Sequence, residues 1–162
     1  MYIPFESLNS ESRLWIYQAN RIFTEEEQLE INDLLKRFCE VWEVHGQALP
    51  TSFQIKYGQF IMLSADESNL KASGCSIDSS VRLIKEIEQK FAVSLFDRLN
   101  IAYRLNGKLD ACPINEFKAL LTSGVANKET IVFNNMVESK KDLDYNWEVP
   151  VQNSWHKQLL SI

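Results

Sequence analysis

The residues best suited to chemistry stand together in the segment 72–80, with the sequence ASGCSIDSS. Small and hydroxyl-bearing side chains surround a single thiol, Cys75, and Gly74 would let a ligand approach the backbone closely. Apolar residues recur at helical spacing from Ile77 onward, so a helix is predicted to start between residues 76 and 79. The first turn of a helix offers unpaired N–H groups and a positive dipole end, which together bind anions.

These residue types suggest a binding site for a small anion, or for the carboxylate or phosphate of a partner protein. The predicted ligand-binding residues are those of the turn itself, namely Ser73, Gly74, Cys75, Ser76, Asp78, Ser79 and Ser80. The same residues have a structural interpretation, because Ser, Asp and Gly commonly cap helices. A lone cysteine is also commonly a small buried apolar group. The leading hypothesis is therefore a non-catalytic binding or accessory protein.

A second hypothesis is a thiol-dependent enzyme with Cys75 as the nucleophile and His45 as the base, oriented by Asp66 or Asp78. Such triads are defined by geometry and not by chain order, and a thiol at a helix N-terminus shifts toward the reactive thiolate. His45 is also predicted at the end of a helix, where the dipole favours a charged imidazole. A third hypothesis is a protein-interaction module, including a homodimer formed through exposed aromatic side chains.

Several kinds of catalytic machinery are missing from the sequence. The five glycines form neither the G-x-x-x-x-G-K-[ST] phosphate loop nor the G-x-G-x-x-G of dinucleotide folds. The two histidines exclude a multi-histidine metal site, and the three cysteines, Cys39, Cys75 and Cys112, show no C-x-x-C pairing. We therefore expect no bound metal, no cofactor and no disulfide framework.

Most of the chain resembles a small bacterial family of similar length, and SGCSIDSSV at 73–81 is the most specific shared motif. The other shared stretches are RLWIYQANR at 13–21, FTEEE at 23–27, VWEVHG at 41–46, LFDRLNIAY at 95–103, TIVFNN at 130–135 and SWHK at 154–157. Members of that family are often labelled "ABC transporter ATPase". The resemblance implies no particular fold, cofactor or catalytic residue. Because the phosphate loop that the label requires is absent, we expect no ATPase activity.

The elements that must position these residues are predicted in the order β-α-β-β-α-β-β-α-β. This order, with two hairpins, indicates an α+β fold with a mostly antiparallel sheet and three helices. The six predicted strands are residues 13–19, 51–57, 59–65, 101–105, 108–111 and 130–133, and residues 145–149 are a weaker candidate for one more strand at the end. Asn106 and Gly107 predict a tight hairpin turn between two of them.

The first helix is predicted to begin at Thr24, which forms a capping box with Glu27, and to end at His45, before a left-handed Gly46. Its predicted inward face is Ile31, Leu34, Leu35, Phe38, Val41, Trp42 and His45. The predicted inward face of the second helix is Ile77, Val81, Ile84, Ile87 and Phe91. A third helix is predicted from Pro113 to Gly124, with Ile114, Phe117, Leu120 and Leu121 on one face.

Length and composition indicate one globular domain over residues 1–162, since hydrophobic residues make up 45% and charged residues 24%. The net charge of −5 argues against nucleic acid as a partner. No apolar run is long enough to span a bilayer, and the N-terminal residues lack the pattern of a signal peptide. We therefore expect no membrane insertion and a cytoplasmic location.

Overall fold

In the computed structural model, which describes residues 1–160, helices alternate with antiparallel strands. The elements in chain order are β1 Arg13–Gln18, α1 Glu25–Val41, β2 Glu43–Val44, β3 Gln47–Ala48, β4 Thr51–Lys56, β5 Phe60–Ala65, α2 Gly74–Phe91, β6 Asn100–Leu105, β7 Lys108–Pro113, α3 Ile114–Ser123, β8 Ile131–Phe133, α4 Lys140–Asn146 and β9 Glu148–Pro150. The predicted α+β class is confirmed. No helix within this part of the chain combines the length and apolar character needed to cross a lipid bilayer.

The chain divides into two compact units. The first unit consists of Met1–Phe96 with Glu138–Lys141. It contains a three-stranded antiparallel sheet in the order β1-β5-β4 and the small hairpin β2-β3. Its core joins the inner faces of α1 and α2 to this sheet through Ile31, Leu35, Cys39, Phe53, Ile61, Leu63, Ile84 and Ile87.

Helix α1 begins as predicted and ends earlier than predicted. The Thr24 hydroxyl accepts from the Glu27 amide, and the Glu27 carboxylate accepts from the Thr24 amide, so the capping box is complete. Arg21 holds the same carboxylate with two 2.8 Å hydrogen bonds, which together with the Thr24 amide lower the pKa of Glu27 to about 2. The predicted end at His45 is wrong, because Trp42 is already extended.

The sequence around His45 forms a hairpin turn instead of a helix end. His45 and Gly46 both have positive φ, at 51° and 78°, and they connect β2 to β3. Two consecutive left-handed residues are what a tight two-residue hairpin turn requires. Gly46 is therefore left-handed as predicted, but it serves this turn, and Val41 lies 73% exposed instead of facing the core.

Helix α2 also begins earlier than predicted, at Gly74 with Ser73 as its cap. Its buried face is Ser76, Ser80, Ile84, Ile87 and Phe91, whereas Ile77 and Val81 are only partly buried. The inward face is thus rotated in the first two turns, where it consists of serines. The predicted start and the predicted inward role of Ile77 and Val81 are wrong, because the buried face of the first two turns consists of serines and so lacks the apolar periodicity that marks a helix.

The second unit consists of Asp97–Val137 and the residues from Asp142 on, and its sheet has the antiparallel order β7-β6-β8-β9. The predicted hairpin turn is confirmed, with positive φ at Asn106 and Gly107. Helix α3 packs Phe117 into a core with Ile101, Tyr103 and Val132, and it ends at a left-handed Gly124.

The predicted count of three helices is wrong, because α4 is a fourth helix. It has no buried residue, so its sequence carries no apolar periodicity that would have revealed it. The prediction of a strand over 145–149 is corrected to β9, since Tyr145 belongs to α4.

Truncation of a buried leucine in α1 should be far more costly than the same truncation at the helix surface. Leu35 is fully buried, whereas Leu29 is 73% exposed. We expect L35A to lower the free energy of unfolding by about 3 kcal/mol through lost burial and a residual cavity. The matched L29A variant should change it by about 0.5 kcal/mol or less. Urea denaturation followed by circular dichroism measures both, and equal effects would show that the helix face is assigned wrongly.

The second unit should lose stability in mild acid because of His156. Its imidazole is 1% exposed, with Nδ1 2.7 Å from the Ser154 hydroxyl, and burial lowers its pKa to about 4. As the pH falls from about 6.5 to about 4, the imidazole becomes protonated in the unfolded chain but stays neutral in the folded chain. The free energy of unfolding therefore falls by up to about 3 kcal/mol over this range. Denaturant titrations across this pH range measure the slope.

The variant H156N should flatten that pH dependence, because asparagine fills the position without titrating. The control is H45N, at the other histidine, which lies on the exposed β2–β3 turn in a left-handed conformation that asparagine tolerates. A slope that disappears in H45N and persists in H156N would contradict the assignment.

Candidate functional site

The predicted segment 72–80 is arranged as a capped helix start. The Ser73 hydroxyl accepts from the Ser76 amide at 3.2 Å. The hydroxyls of Ser76, Ser79 and Ser80 donate to the carbonyls of Ser73, Cys75 and Ile77 at 2.9, 3.0 and 2.6 Å. These hydroxyl protons are therefore used by the backbone of the helix itself.

Two of these serines are buried for a packing reason. Ser76 is 5% exposed and Ser80 is fully buried. The indole Nε1 of Trp42 donates to the Ser76 carbonyl at 2.9 Å in the interior. Small side chains on this face allow such a close approach. The serines therefore let the first turns of α2 pack against Trp42, the residue that follows α1.

Only the exposed part of this turn has groups that a ligand could contact. Gly74, Cys75 and Asp78 are exposed, and no hydrogen bond to the Gly74 or Cys75 amide is found within residues 1–160. The Ala72 amide just before them is already occupied, because it donates to the Glu67 carboxylate at 2.7 Å, and that carboxylate also pairs with Arg13 at 3.7 Å.

The structure does not join the residues of the predicted thiol triad. His45 is exposed on its own turn, and no hydrogen bond links it to Cys75 in the described chain. Asp66 accepts from the Ser68 amide and so stabilises its own loop. Nor do three His, Cys, Asp or Glu side chains within residues 1–160 group as metal ligands would.

A more developed site lies along the outer edge of β4. The Pro50 carbonyl accepts from the Asp66 amide, toward β5, whereas Thr51 bonds outward, to Met1 and Ile3. Because antiparallel pairing alternates, the N–H and C=O groups of Phe53 and Ile55 point to the same outer edge as those of Thr51. Beyond Thr51 no strand in the described chain pairs with this edge.

A groove of about 600 Å³ follows this edge. Its lining combines apolar, carboxamide and acidic side chains and consists of Tyr2, Phe5, Glu6, Glu25, Gln28, Leu29, Asn32, Phe53, Gln54 and Ile55. All of them belong to the first unit. An extended chain that pairs with Phe53 and Ile55 would therefore lie in a concave surface with side walls.

The helix wall of the groove is one stripe of α1. Glu25, Gln28, Leu29 and Asn32 recur at i, i+3, i+4 and i+7, the spacing of one helix face. Leu29 is the apolar member of this stripe and is 73% exposed. An exposed leucine beside a free strand edge is the sequence feature that could have indicated the groove.

Another part of the lining is the N-terminal segment. Residues 1–3 run along β4 as far as Thr51, in a parallel bridge centred on Tyr2, whose ring lies 5.7 Å from the Phe53 ring. Pro4 then directs the chain into a short 3-10 helix, Phe5–Ser7, so the pairing stops. No pattern in the sequence of this segment predicts a site.

Comparisons of the chain with models of protein families, with curated proteins and with solved structures gave no match. The resemblance of the 73–81 motif to a bacterial family stays a prediction.

Among the three cysteines, Cys75 should react with alkylating agents first. It is exposed, whereas Cys39 and Cys112 are buried. Burial raises the pKa of Cys39 to about 11 and also raises that of Cys112, so both thiolates are scarce near neutral pH. Iodoacetamide labelling of the native protein, followed by mass spectrometry, measures the three rates.

The same assay tests the anion hypothesis when sulfate is added. An anion at the Gly74 and Cys75 amides should slow the labelling of Cys75 and leave Cys112, which precedes another helix, unchanged. Labelling of Cys75 at the rate of Cys39 would contradict the exposure argument, and a rate independent of sulfate would leave the turn with a capping role.

Proposed function

We propose that the chain is a non-catalytic protein-interaction module that binds an extended segment of a partner protein along the outer edge of β4. The observation that carries the proposal is the outward N–H and C=O groups of Phe53 and Ile55 inside a walled groove. Strand addition to a free sheet edge is a common mode of peptide recognition. Main-chain hydrogen bonds supply affinity, and pockets for alternate side chains supply specificity.

Packing supports the proposal because it makes this edge rigid. The Thr51 hydroxyl donates to the Cys39 carbonyl at 2.9 Å, which fixes the start of β4 to the end of α1. At the other end the Phe23 amide donates to the Gly58 carbonyl at 2.8 Å, just past β4, and the Gln28 side-chain amide donates to the Phe23 carbonyl at 3.0 Å. A binding edge that is already ordered loses little conformational entropy when a peptide pairs with it.

The protected parts of the sheet strengthen the same inference. Free edges invite non-specific strand pairing, and proteins commonly cover them. Residues 1–3 cover β4 at Thr51, and residues 138–140 run along the start of β1 at the opposite edge, through the Leu14 amide and the Ser12 carbonyl. Neither segment covers the stretch from Phe53 to Ile55, and this stretch lies in the groove lined by apolar, carboxamide and acidic side chains.

Removing one outward amide should weaken peptide binding without unfolding the sheet. The N–H group of Ile55 points to the outer edge, so I55P removes an edge donor and no bond to β5. The control I55A truncates the side chain and keeps the amide. We expect I55P to weaken a peptide selected from a random phage-displayed library at least about tenfold more than I55A does, which corresponds to about 1.4 kcal/mol for the lost hydrogen bond.

Fluorescence anisotropy of the labelled peptide measures both affinities, and circular dichroism confirms that both variants fold. Hydrogen exchange gives an independent reading. The Phe53 and Ile55 amides should exchange quickly in the free protein and slowly in the complex, whereas the Gln54 amide, bonded to β5, is protected in both. Equal binding by I55P and I55A would refute recognition through this edge.

A further inference from the structure

We infer that the segment bound along β4 is basic and apolar in alternation, with a lysine or arginine two residues from an apolar side chain. This inference rests on the proposed function and names the class of partner. It follows from the charges of the groove, from the spacing of an extended chain and from what a second copy of this chain would bring.

The charged side chains that line the groove are both acidic. Glu6 lies on the N-terminal wall and Glu25 on the helix wall. Both are exposed, neither forms an ion pair with another residue in 1–160, and no lysine or arginine lines the groove. A partner cation would therefore meet two carboxylates without having to displace a basic side chain.

Two lysines lie at the borders of the groove, and both have other partners. Lys36 is 5.5 Å from the centre of the Tyr2 ring. Lys140 is 5.3 Å from the centre of the Phe5 ring and donates to the carbonyls of Leu8 and Glu6 at 2.6 and 3.4 Å. Both lysines thus contact aromatic rings or backbone carbonyls, and neither forms an ion pair with the carboxylate of Glu6 or Glu25.

The geometry of an added strand sets the spacing of the recognised side chains. Side chains i and i+2 of an extended peptide point to the same face, about 6.7 Å apart along the strand. The apolar floor and the exposed Leu29 would take one of them, and the carboxylates the next. The expected pattern is therefore apolar-x-basic, with the intervening residue on the opposite face.

A second copy of this chain is the less suitable occupant. Pairing of β4 with β4 of a copy around a two-fold axis would bring the same patch from both molecules together. Each would contribute its own Glu6 and Glu25, so like charges would meet. Each would also bring its own N-terminal segment, which already occupies the edge at Thr51. A single extended peptide brings neither obstacle.

The test begins with a random peptide library displayed on phage, selected on the whole chain and counter-selected on I55P. The selected peptides should be enriched in the apolar-x-basic pattern. For one such peptide, the protein variant E6Q/E25Q should weaken binding about three- to tenfold, as expected for two exposed charge pairs. The matched control E26Q neutralises a neighbouring exposed carboxylate outside the groove and should change the affinity less than twofold.

Two further readings complete the experiment. Replacing the peptide's lysine or arginine by glutamine should lower its affinity for the wild-type protein by the same factor as E6Q/E25Q does. The same peptide substitution should leave the affinity for the E6Q/E25Q variant almost unchanged. Raising the ionic strength should weaken binding to wild-type protein and leave binding to E6Q/E25Q nearly unchanged.

The outcomes separate the two proposals. If I55P abolishes binding while E6Q/E25Q binds as wild type, or if the selected peptides are acidic or uncharged, edge recognition stands and the basic partner is wrong. If no selected peptide depends on Ile55, both proposals are wrong. A dimer in sedimentation experiments that I55P dissociates would assign the edge to a second copy and overturn the inference.

Discussion

The carbonyl oxygen of Cys39 is the point on which the first unit depends. It accepts from the Thr51 hydroxyl at 2.9 Å and from the Met1 nitrogen at 3.0 Å, and Met1 also donates to the Leu49 carbonyl. The last carbonyls of a helix have no partner within it and must find one elsewhere. By satisfying one of them, these two donors hold the end of α1, the start of β4 and the N-terminal segment together. The groove is the space that these three elements enclose farther along the strand.

Local signals in the sequence predicted the fold where the chain is stabilised by neighbours in sequence. The Thr24 capping box, the Asn106-Gly107 turn and the left-handed Gly124 involve residues a few positions apart, and each is present in the structure. The predicted end of α1 at His45 is wrong because the sequence His45-Gly46 is compatible with two local structures. A helix terminus and a tight hairpin turn both need left-handed residues, and only the pairing of β2 with β3 decides between them.

The site shows the same limit more clearly. A binding site was predicted in the segment 72–80 because its hydroxyls are close in sequence. That closeness is also what lets Ser76, Ser79 and Ser80 form hydrogen bonds to carbonyls of their own helix start. The groove, by contrast, is built from residues 2–6, 25–32 and 53–55, which the sequence separates widely. Each part looks ordinary alone: an aromatic N-terminal stretch, the first turns of a helix and a strand. Their meeting depends on the β1-β5-β4 strand order, which sequence periodicity does not encode.

Edge protection in the first unit explains why recognition would be confined to so short a stretch. A long free strand would pair with many chains, whereas two outward residues supply only a few main-chain hydrogen bonds. Those bonds alone give little discrimination, since every peptide carries the same backbone groups. In the proposed complex, selectivity would then come from the walls, where Leu29 on the helix and the two carboxylates would contact alternate side chains of the bound segment. The short edge and the charged walls would therefore be complementary, because the first would limit indiscriminate pairing and the second would determine which segment binds.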